Sequence, residues 1–326
     1  MKDSARTVET ETTVFDVAVI GGGPAGLSAA LVLGRCRRKV AVFDDHSPRN
    51  EQARETHGFF THDGTPPLEL LRLGRKDLAP YDVRLVDAHV DSVVRRDALF
   101  EIQAENEPVV HARKLLLATG LRDRLPGHPG FAECLGAGVY QCPYCHGWEV
   151  RDQVLGAYGV GPDVLDLGLG LLTWSPDVSV FTDGNPLQPA DMERARSNGL
   201  TVYTEAIASL VLNEGRLWGV RMKSGRFVKS EAMFVHAGQE QRSSFAAQLG
   251  CELTPENTVK TRHDERTSAP GVFVAGDATV DLQSVAVSVA EGYKAAVAIH
   301  LELCKEVRAG ADRSLGFPAN TQGNSR

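Results

Sequence analysis

Val17-Ala18-Val19-Ile20-Gly21-Gly22-Gly23-Pro24-Ala25-Gly26 decides the fold: an apolar run breaks into glycines and resumes as a helix-forming segment. The apolar run suits a strand buried on both faces. Gly21, Gly23 and Gly26 carry the spacing G-x-G-x-x-G. In that spacing the first glycine permits a tight turn, the second lets a pyrophosphate approach the backbone, and the third lets helix and strand pack closely. The helix N-terminus supplies unpaired N–H groups to the phosphates. Pro24 and Ala25 lie inside this turn and belong to the same candidate dinucleotide site. Asp44 closes the next apolar run, where an acid is placed to hold a ribose hydroxyl.

Further runs of buried-strand type are Phe15–Ile20, Val40–Phe43, Leu115–Ala118, Val154–Tyr158, Val178–Phe181, Met233–Val235 and Val272–Ala275. Helical stretches such as Pro24–Gly34 and Ser288–Leu303 intervene, so the alternation reads as α/β units. Two stretches read instead as β-meanders, about Leu85–Lys114 and Ile207–Lys229, the second with a Ser224-Gly225 turn. The strand–glycine–helix pattern of residues 15–30 returns faintly at 154–172. The basic run Arg35, Arg37, Arg38 and Lys39 falls where a helix ends, and cations are favoured there by the helix dipole.

Ala118-Thr119-Gly120 ends one strand, and Gly271-Val272-Phe273-Val274-Ala275-Gly276-Asp277-Ala278 is another that ends in Gly-Asp. With the first glycine turn, these resemble the flavoprotein disulfide reductases that bind two dinucleotides, and the resemblance covers about residues 14–304. It implies FAD, with Asp277 after Gly276 holding the ribityl chain and Gln283 opening a helix that faces the flavin. It also implies that Asn50 and His57 line the FAD from a loop. The fold it implies is two Rossmann-like three-layer α/β domains of the FAD/NAD(P)-binding type. The FAD domain is discontinuous, 14–121 plus 252–305, with a central NAD(P)-binding-like domain inserted at 122–251. Residues 1–13 and 306–326 read as flexible tails, the latter rich in Gly, Ser, Asn and Arg.

Cys142-Pro143-Tyr144-Cys145-His146-Gly147 is a C-x-x-C, whose thiols can close a small ring and whose thiolate can be stabilised by its surroundings. Zinc needs two more ligands at tetrahedral spacing, and no second C-x-x-C or H-x-x-x-H is present, so no metal is expected. Beside Rossmann-type units, the pair reads as redox-active. The first glycine helix contains no cysteine, and the pair follows Ala-Thr-Gly at the start of the central domain. That placement resembles the low-molecular-weight thioredoxin reductases. The resemblance implies that Cys145 faces the flavin and Cys142 attacks the substrate disulfide. His146 stands where those reductases carry an acid, and an imidazole that titrates near neutrality can exchange protons with a leaving thiolate. The Cys-x-x-Cys-His-Gly form also resembles dithiol oxidases that close disulfides in gliotoxin and holomycin.

In the central domain the returning fingerprint reads Gly156-Ala157-Tyr158-Gly159-Val160-Gly161-Pro162-Asp163-Val164. Gly159 and Gly161 are candidate cofactor-binding residues, but Val164 replaces the third small residue, and its bulk should part helix from strand or shift the turn. The next strand ends Thr182-Asp183-Gly184, where NADPH-dependent members of the resembled family carry a His-Arg-Arg run. Asp183 there would repel a 2′-phosphate and suit a free ribose diol. NADH, weak NADPH and no nucleotide all stay open, with NADH the better match.

The 326 residues carry a net charge of −7, which argues against the clustered positive face that nucleic acid requires. No 18-residue apolar stretch supports a membrane span, and no secretory leader is visible, so a cytoplasmic protein is expected. The function expected is FAD-dependent disulfide/dithiol oxidoreduction, with two electrons moving between flavin and the Cys142/Cys145 pair and on to a thiol or disulfide protein. The alternatives are a small-molecule dithiol oxidase using oxygen, and a flavin redox sensor without turnover. The resemblance further implies a homodimer.

Overall fold

The structure, a computed structural model, describes residues 14–279 and 282–314, the last few (309–314) by backbone alone. The tail expected over 1–13, and residues 315–326 of the other, lie outside the described residues. The elements begin with β1 (Val14–Ile20), α1 (Pro24–Arg35), β2 (Val40–Phe43), α2 (Pro67–Asp77), β3 (Val83–Val86), β4 (Val90–Arg96), β5 (Leu99–Ala104) and β6 (Val110–Leu117). There follow β7 (Leu121–Asp123), β8 (Val139–Tyr140), α3 (Pro143–His146), β9 (Leu155–Gly159), α4 (Asp163–Leu171), β10 (Val178–Phe181), α5 (Pro189–Ser197) and β11 (Thr201–Tyr203). The rest are β12 (Ile207–Asn213), β13 (Arg216–Met222), β14 (Phe227–Lys229), β15 (Ala232–His236), β16 (Gln239–Gln241), α6 (Phe245–Gln248), β17 (Val272–Val274) and α7 (Val285–Ser314). The described chain divides into two compact units. The first holds residues up to 48, 71–120 and those from 241 on; the second holds 49–70 and 121–240.

In the first unit β3, β2, β1 and β6 lie side by side and parallel. β6 changes partner midway: Val110–Ala112 pair antiparallel with β5, and Leu115–Leu117 pair parallel with β17. The meander expected over Leu85–Lys114 is therefore β4, β5 and the start of β6. Successive strand residues point to opposite faces, and the core obeys that period. Ala18, Ile20, Ala41, Phe43, Leu115 and Leu117 enter one buried cluster, and Val17, Val19, Val40, Val42 and Leu116 enter another, under α1 and α7. Two covered faces make the three layers expected. The strand ends are stitched level, Gly21 N–H to Phe43 O at 2.8 Å, Ala118 N–H to Ile20 O at 2.8 Å and Ala275 N–H to Leu117 O at 3.1 Å. The turns that begin at Gly21, Ala118 and Ala275 thus emerge at the carboxyl edge of one sheet, the edge where α/β sheets bind ligands.

The second unit repeats the scheme with an all-parallel sheet ordered β11-β10-β9-β15-β8. Leu155, Ala157, Val178 and Val180 face α4, while Tyr158, Phe181, Met233 and Val235 face the antiparallel β12–β14 layer. That layer is the second expected meander, with Gly225 at φ +91° in its turn.

α7 corrects one expectation. It runs from Val285 to Ser314, past the Leu303 end read from sequence, so residues 306–314 are helix. Ion pairs hold its extension: Lys114 of β6 reaches Glu302 at 3.0 Å and Glu306 at 2.6 Å, and Arg113 reaches Glu306 at 2.7 Å. Among the described residues, no helix is long and apolar enough to cross a membrane.

Candidate active site

The glycine turns of the first unit shape the candidate dinucleotide site. At Gly21, φ +109°, a Cβ would lie 2.2 Å from the Ala118 carbonyl oxygen, so only glycine lets the β1 and β6 ends converge. At Gly26 a Cβ would lie 1.9 Å from the Gly21 carbonyl oxygen, which lets α1 sit against the turn. Gly23 is different: nothing lies within 4 Å of its Cβ position, and as N-cap of α1 it offers no side chain to the helix N-terminus. The turn is therefore open at the point where a phosphate meets the backbone donors. Asp44 stands against Gly22, accepts Arg75 Nη1 at 2.8 Å and accepts the His46 N–H at 3.3 Å. Thr119 and Gly120 follow β6, Gly120 with φ +68° and Thr119 accepting the Ser243 hydroxyl at 3.4 Å.

The Gly276-Asp277 turn is fastened from α7. Buried Glu291 accepts the Gly276 N–H at 2.6 Å and the Thr279 hydroxyl at 3.1 Å. Ser288 donates to Asp277 Oδ1 at 3.3 Å. At Gly292 a Cβ would lie 2.1 Å from the Ala25 carbonyl oxygen, so α7 rests on the first turn of α1. Gln283 precedes Ser284, whose hydroxyl accepts the Val287 N–H at 3.2 Å. Open donors at α1, a carboxylate at the β2 end and a second carboxylate on a fastened turn form a donor set that fits a dinucleotide.

The second unit carries the cysteines. Cys142 and Cys145 form a disulfide with Cα atoms 5.3 Å apart. Cys142 caps α3, and the Cys145 N–H donates to Cys142 Sγ at 3.1 Å. On reduction that donor stabilises a thiolate on Cys142. α3 rests on Trp174, whose indole leaves no room for a Cβ at Gly147 and meets Tyr144 edge to face. Tyr144 is 81% exposed and Trp148 is 66% exposed, so the disulfide is flanked by open aromatic surface. His146 turns inward and stacks on Tyr140 at 4.6 Å. Burial, reinforced by His57, pushes it down to about 4, so the near-neutral titration expected of it does not hold. The ring is held neutral, and its Nδ1 is buried without a partner.

His57 and Asn50, expected along a FAD loop, fall in this second unit. Asn50 sits in a turn whose carbonyl accepts the Ala53 N–H at 3.0 Å. His57 meets His146 edge to face, centroids 6.5 Å apart. Three carboxylates surround it: Glu55 at 3.4 Å, Glu149 at 3.5 Å and Asp63 at 3.6 Å.

The second fingerprint is altered in more ways than its sequence spacing indicates. Val164 does not wedge α4 away from β9. It is fully buried, 3.1 Å from the Cβ position of Gly159, so the missing side chain of one residue takes up the bulk of the other. Gly161 has φ +88° and open space around it. The first turn of α4 carries Asp163 and Asp166, which suit a helix dipole and oppose a phosphate. Asp183 is not presented to a ribose. Its Oδ1 accepts the Ile207 N–H at 2.8 Å, and its Oδ2 accepts His128 at 2.6 Å and the Tyr158 hydroxyl at 2.9 Å. Burial alone would raise this carboxyl, but the hydrogen bonds from His128, Ile207 and Tyr158 hold it below its usual range. Arg194 pairs with Asp166 at 2.7 Å and Arg196 with Glu193 at 2.6 Å.

Sequence reading missed Glu291, Arg75 and the carboxylates around His57. For Glu291 a signal existed: it is an acid within the otherwise apolar start of α7. Among the described residues, no group of three or more His, Cys, Asp or Glu side chains could hold a metal ion.

Comparison with known proteins agrees with this chemistry. The family described as pyridine nucleotide-disulphide oxidoreductase matches residues 15–156 and 182–292. Thioredoxin reductase aclD of Aspergillus oryzae is 31% identical over 311 residues, covering 91% of this chain and 98% of its own. Thioredoxin reductase sirT of Leptosphaeria maculans is 31% identical over 314 residues, covering 89% of this chain and 94% of its own. The crystal structure of HlmI superposes with a TM-score of 0.89 at 35% identity, covering 93% of this chain and 96% of that one.

Proposed function

The chain belongs to the pyridine nucleotide-disulphide oxidoreductase family, and from that premise we propose that it is a thioredoxin-reductase-like FAD-dependent enzyme working on a thiol or disulfide partner. The observation that carries this reading is the Cys142–Cys145 disulfide, with the Cys145 N–H on Cys142 Sγ and a neutral His146 adjoining it. Gly21, Gly23, Pro24, Ala25 and Gly26 would hold the pyrophosphate, Asp44 the ribose, and Thr119, Gly120, Gly276, Asp277 and Gln283 the flavin end. Bound there, FAD supplies the two-electron acceptor and donor for the cysteine pair.

The protein's own steps are thiol–disulfide exchange. In the oxidising direction a substrate thiolate attacks Cys142 Sγ, the S–S bond breaks, and Cys145 leaves as thiolate. A second substrate thiolate then attacks the substrate sulfur of the mixed disulfide and releases Cys142. The substrate loses two electrons and two protons, and the cysteine pair gains the electrons. The reverse sequence reduces a disulfide. Low-pKa, partly accessible sulfur is what such exchange requires.

NADH is the proposed nicotinamide donor. Thr182 to Gln188 offers no Arg or Lys for a 2′-phosphate, and Arg194 and Arg196 are engaged elsewhere. A guanidinium partner for a phosphate contributes about 1.5 kcal/mol or more, so its loss handicaps NADPH about tenfold. Asp163 and Asp166 weaken both nucleotides alike. We also place the protein in the cytoplasm, a reading supported by Cys36, Cys134, Cys251 and Cys304 being free thiols. A homodimer is proposed on the family likeness alone.

The test is anaerobic stopped-flow of the holoenzyme against NADH, NADPH and dithiothreitol at matched concentrations, followed by flavin absorbance. Fast saturable bleaching by micromolar NADPH would overturn the donor assignment. Bleaching by dithiol alone, with reoxidation by air, would point to small-dithiol oxidation. No response to any donor, and no turnover, would leave only a sensor.

A further inference from the structure

Every turn of the exchange chemistry moves protons between thiols and water, and His146 is half-buried. Its Nδ1 has no partner. One face of its ring is closed by Tyr140 of β8. The group next to it on another side is His57, edge to face at 6.5 Å, close enough for a single bridging water. His57 in turn touches Glu55 and Asp63 of its own loop and Glu149 just past α3. Those three carboxylates are far more open than the ring between them. A partly buried imidazole thus stands between an inward histidine and a solvent-exposed acidic rim. The remaining charges near this cluster are Arg54 and Arg216, which act on Tyr140.

We infer that His57 is a positioning and proton-relay residue for the dithiol chemistry, passing protons between His146 and the Glu55/Asp63/Glu149 rim. The inference rests on the exchange reading of Cys142 and Cys145. When a substrate thiol is consumed, its proton goes to His146, on to His57 and out through a rim carboxylate. In the disulfide-reducing direction the same protons return to the leaving thiolates. No electron moves along this route. A base that scarcely retains a proton at neutral pH, as His146 does, benefits from a neighbour that takes it onward. A carboxylate beside an imidazole also orients the ring.

The test compares holoenzyme wild type, His57→Gln and Glu149→Gln. Single-turnover exchange with dithiothreitol is followed anaerobically across pH 5–9, with and without added imidazole. His57→Gln should lower the limiting rate at least ~10-fold, less than the about 10²–10⁴-fold of a group that exchanges protons with substrate itself, because His57 acts through His146. Its half-saturating dithiothreitol concentration should stay unchanged. Millimolar imidazole should restore much of the rate, and Glu149→Gln should show a smaller loss in the same direction. Rates within twofold of wild type in both variants would overturn the relay. So would a loss that imidazole does not restore, because that is how a merely structural histidine behaves. If His57→Gln does not fold, Glu149→Gln decides alone, with a normal pH profile overturning the relay. A wild type that fails to exchange with any dithiol removes the exchange reading itself and the relay with it. A wild type that exchanges normally beside an unaffected His57→Gln removes the relay only.

Discussion

Gly23→Ala separates cofactor binding from folding. Nothing lies within 4 Å of the Cβ position at Gly23, and its φ of −73° and ψ of −174° are open to any residue. Losing glycine as an N-cap and restricting the unfolded chain act in opposite directions, so apoprotein stability should change by less than about 1 kcal/mol. The added methyl does occupy the side from which a pyrophosphate meets the α1 donors. Displacing one charge-assisted hydrogen bond forfeits about 1.5–3 kcal/mol, so FAD affinity should fall about 10–100-fold. Gly26→Ala is the contrast. Its Cβ would lie 1.9 Å from the Gly21 carbonyl oxygen, so helix or turn must shift, and overpacking of that kind costs about 1–3 kcal/mol. The assay is urea unfolding of each flavin-free protein, then titration with FAD followed by quenching of flavin fluorescence. FAD affinity within threefold of wild type for Gly23→Ala would refute the cradle. Loss of apoprotein stability equal to that of Gly26→Ala would show that the site is a folding element and not an opening.

The cysteines divide by trapping: Cys145→Ser leaves a Cys142 thiolate that should hold a persistent mixed disulfide with a substrate disulfide, seen by intact-mass spectrometry. Cys142→Ser should trap nothing, and the opposite pattern reverses the assignment. His146 should make stability pH-dependent. Its native value of about 4 lies below the ordinary 6.5, so the unfolded chain takes the proton first, and stability present above 6.5 is lost as pH falls toward 4. The full shift corresponds to roughly 3 kcal/mol, discounted to about 1–2 because the ring is only partly shielded. Urea unfolding at pH 7.5 and 4.5 should show wild type losing that much more than His146→Phe; equal losses would contradict the buried neutral ring.

Legible in the sequence are the residues that chemistry demands at set offsets along the chain. A glycine turn, a C-x-x-C and a late Gly-Asp each need a residue type at a fixed spacing, so they announce themselves whatever surrounds them. Partnerships across the fold do not. His57 and His146 meet only because residues 49–70 group with the second unit. Arg75 of α2 reaches Asp44, just past β2, across 31 residues of chain. Asp183 is the instructive case. A strand-end acid reads as a ribose ligand when its neighbours are invisible, yet a partly buried carboxylate is claimed by the nearest donors, because leaving them unpaired costs about 1–3 kcal/mol each. Ile207, His128 and Tyr158 are those donors, and they come from three separate segments. On the proposed reading, Asp163 and Asp166 in the first turn of α4 oppose either nucleotide, and discrimination between the two turns on the engagement of Arg194 by Asp166. Releasing Arg194 of α5 by Asp166→Asn removes one negative charge from α4 and frees one positive charge beside it. If the nucleotide enters at this turn, that single change should improve NADPH more than NADH, because only NADPH carries a phosphate for the freed guanidinium to meet.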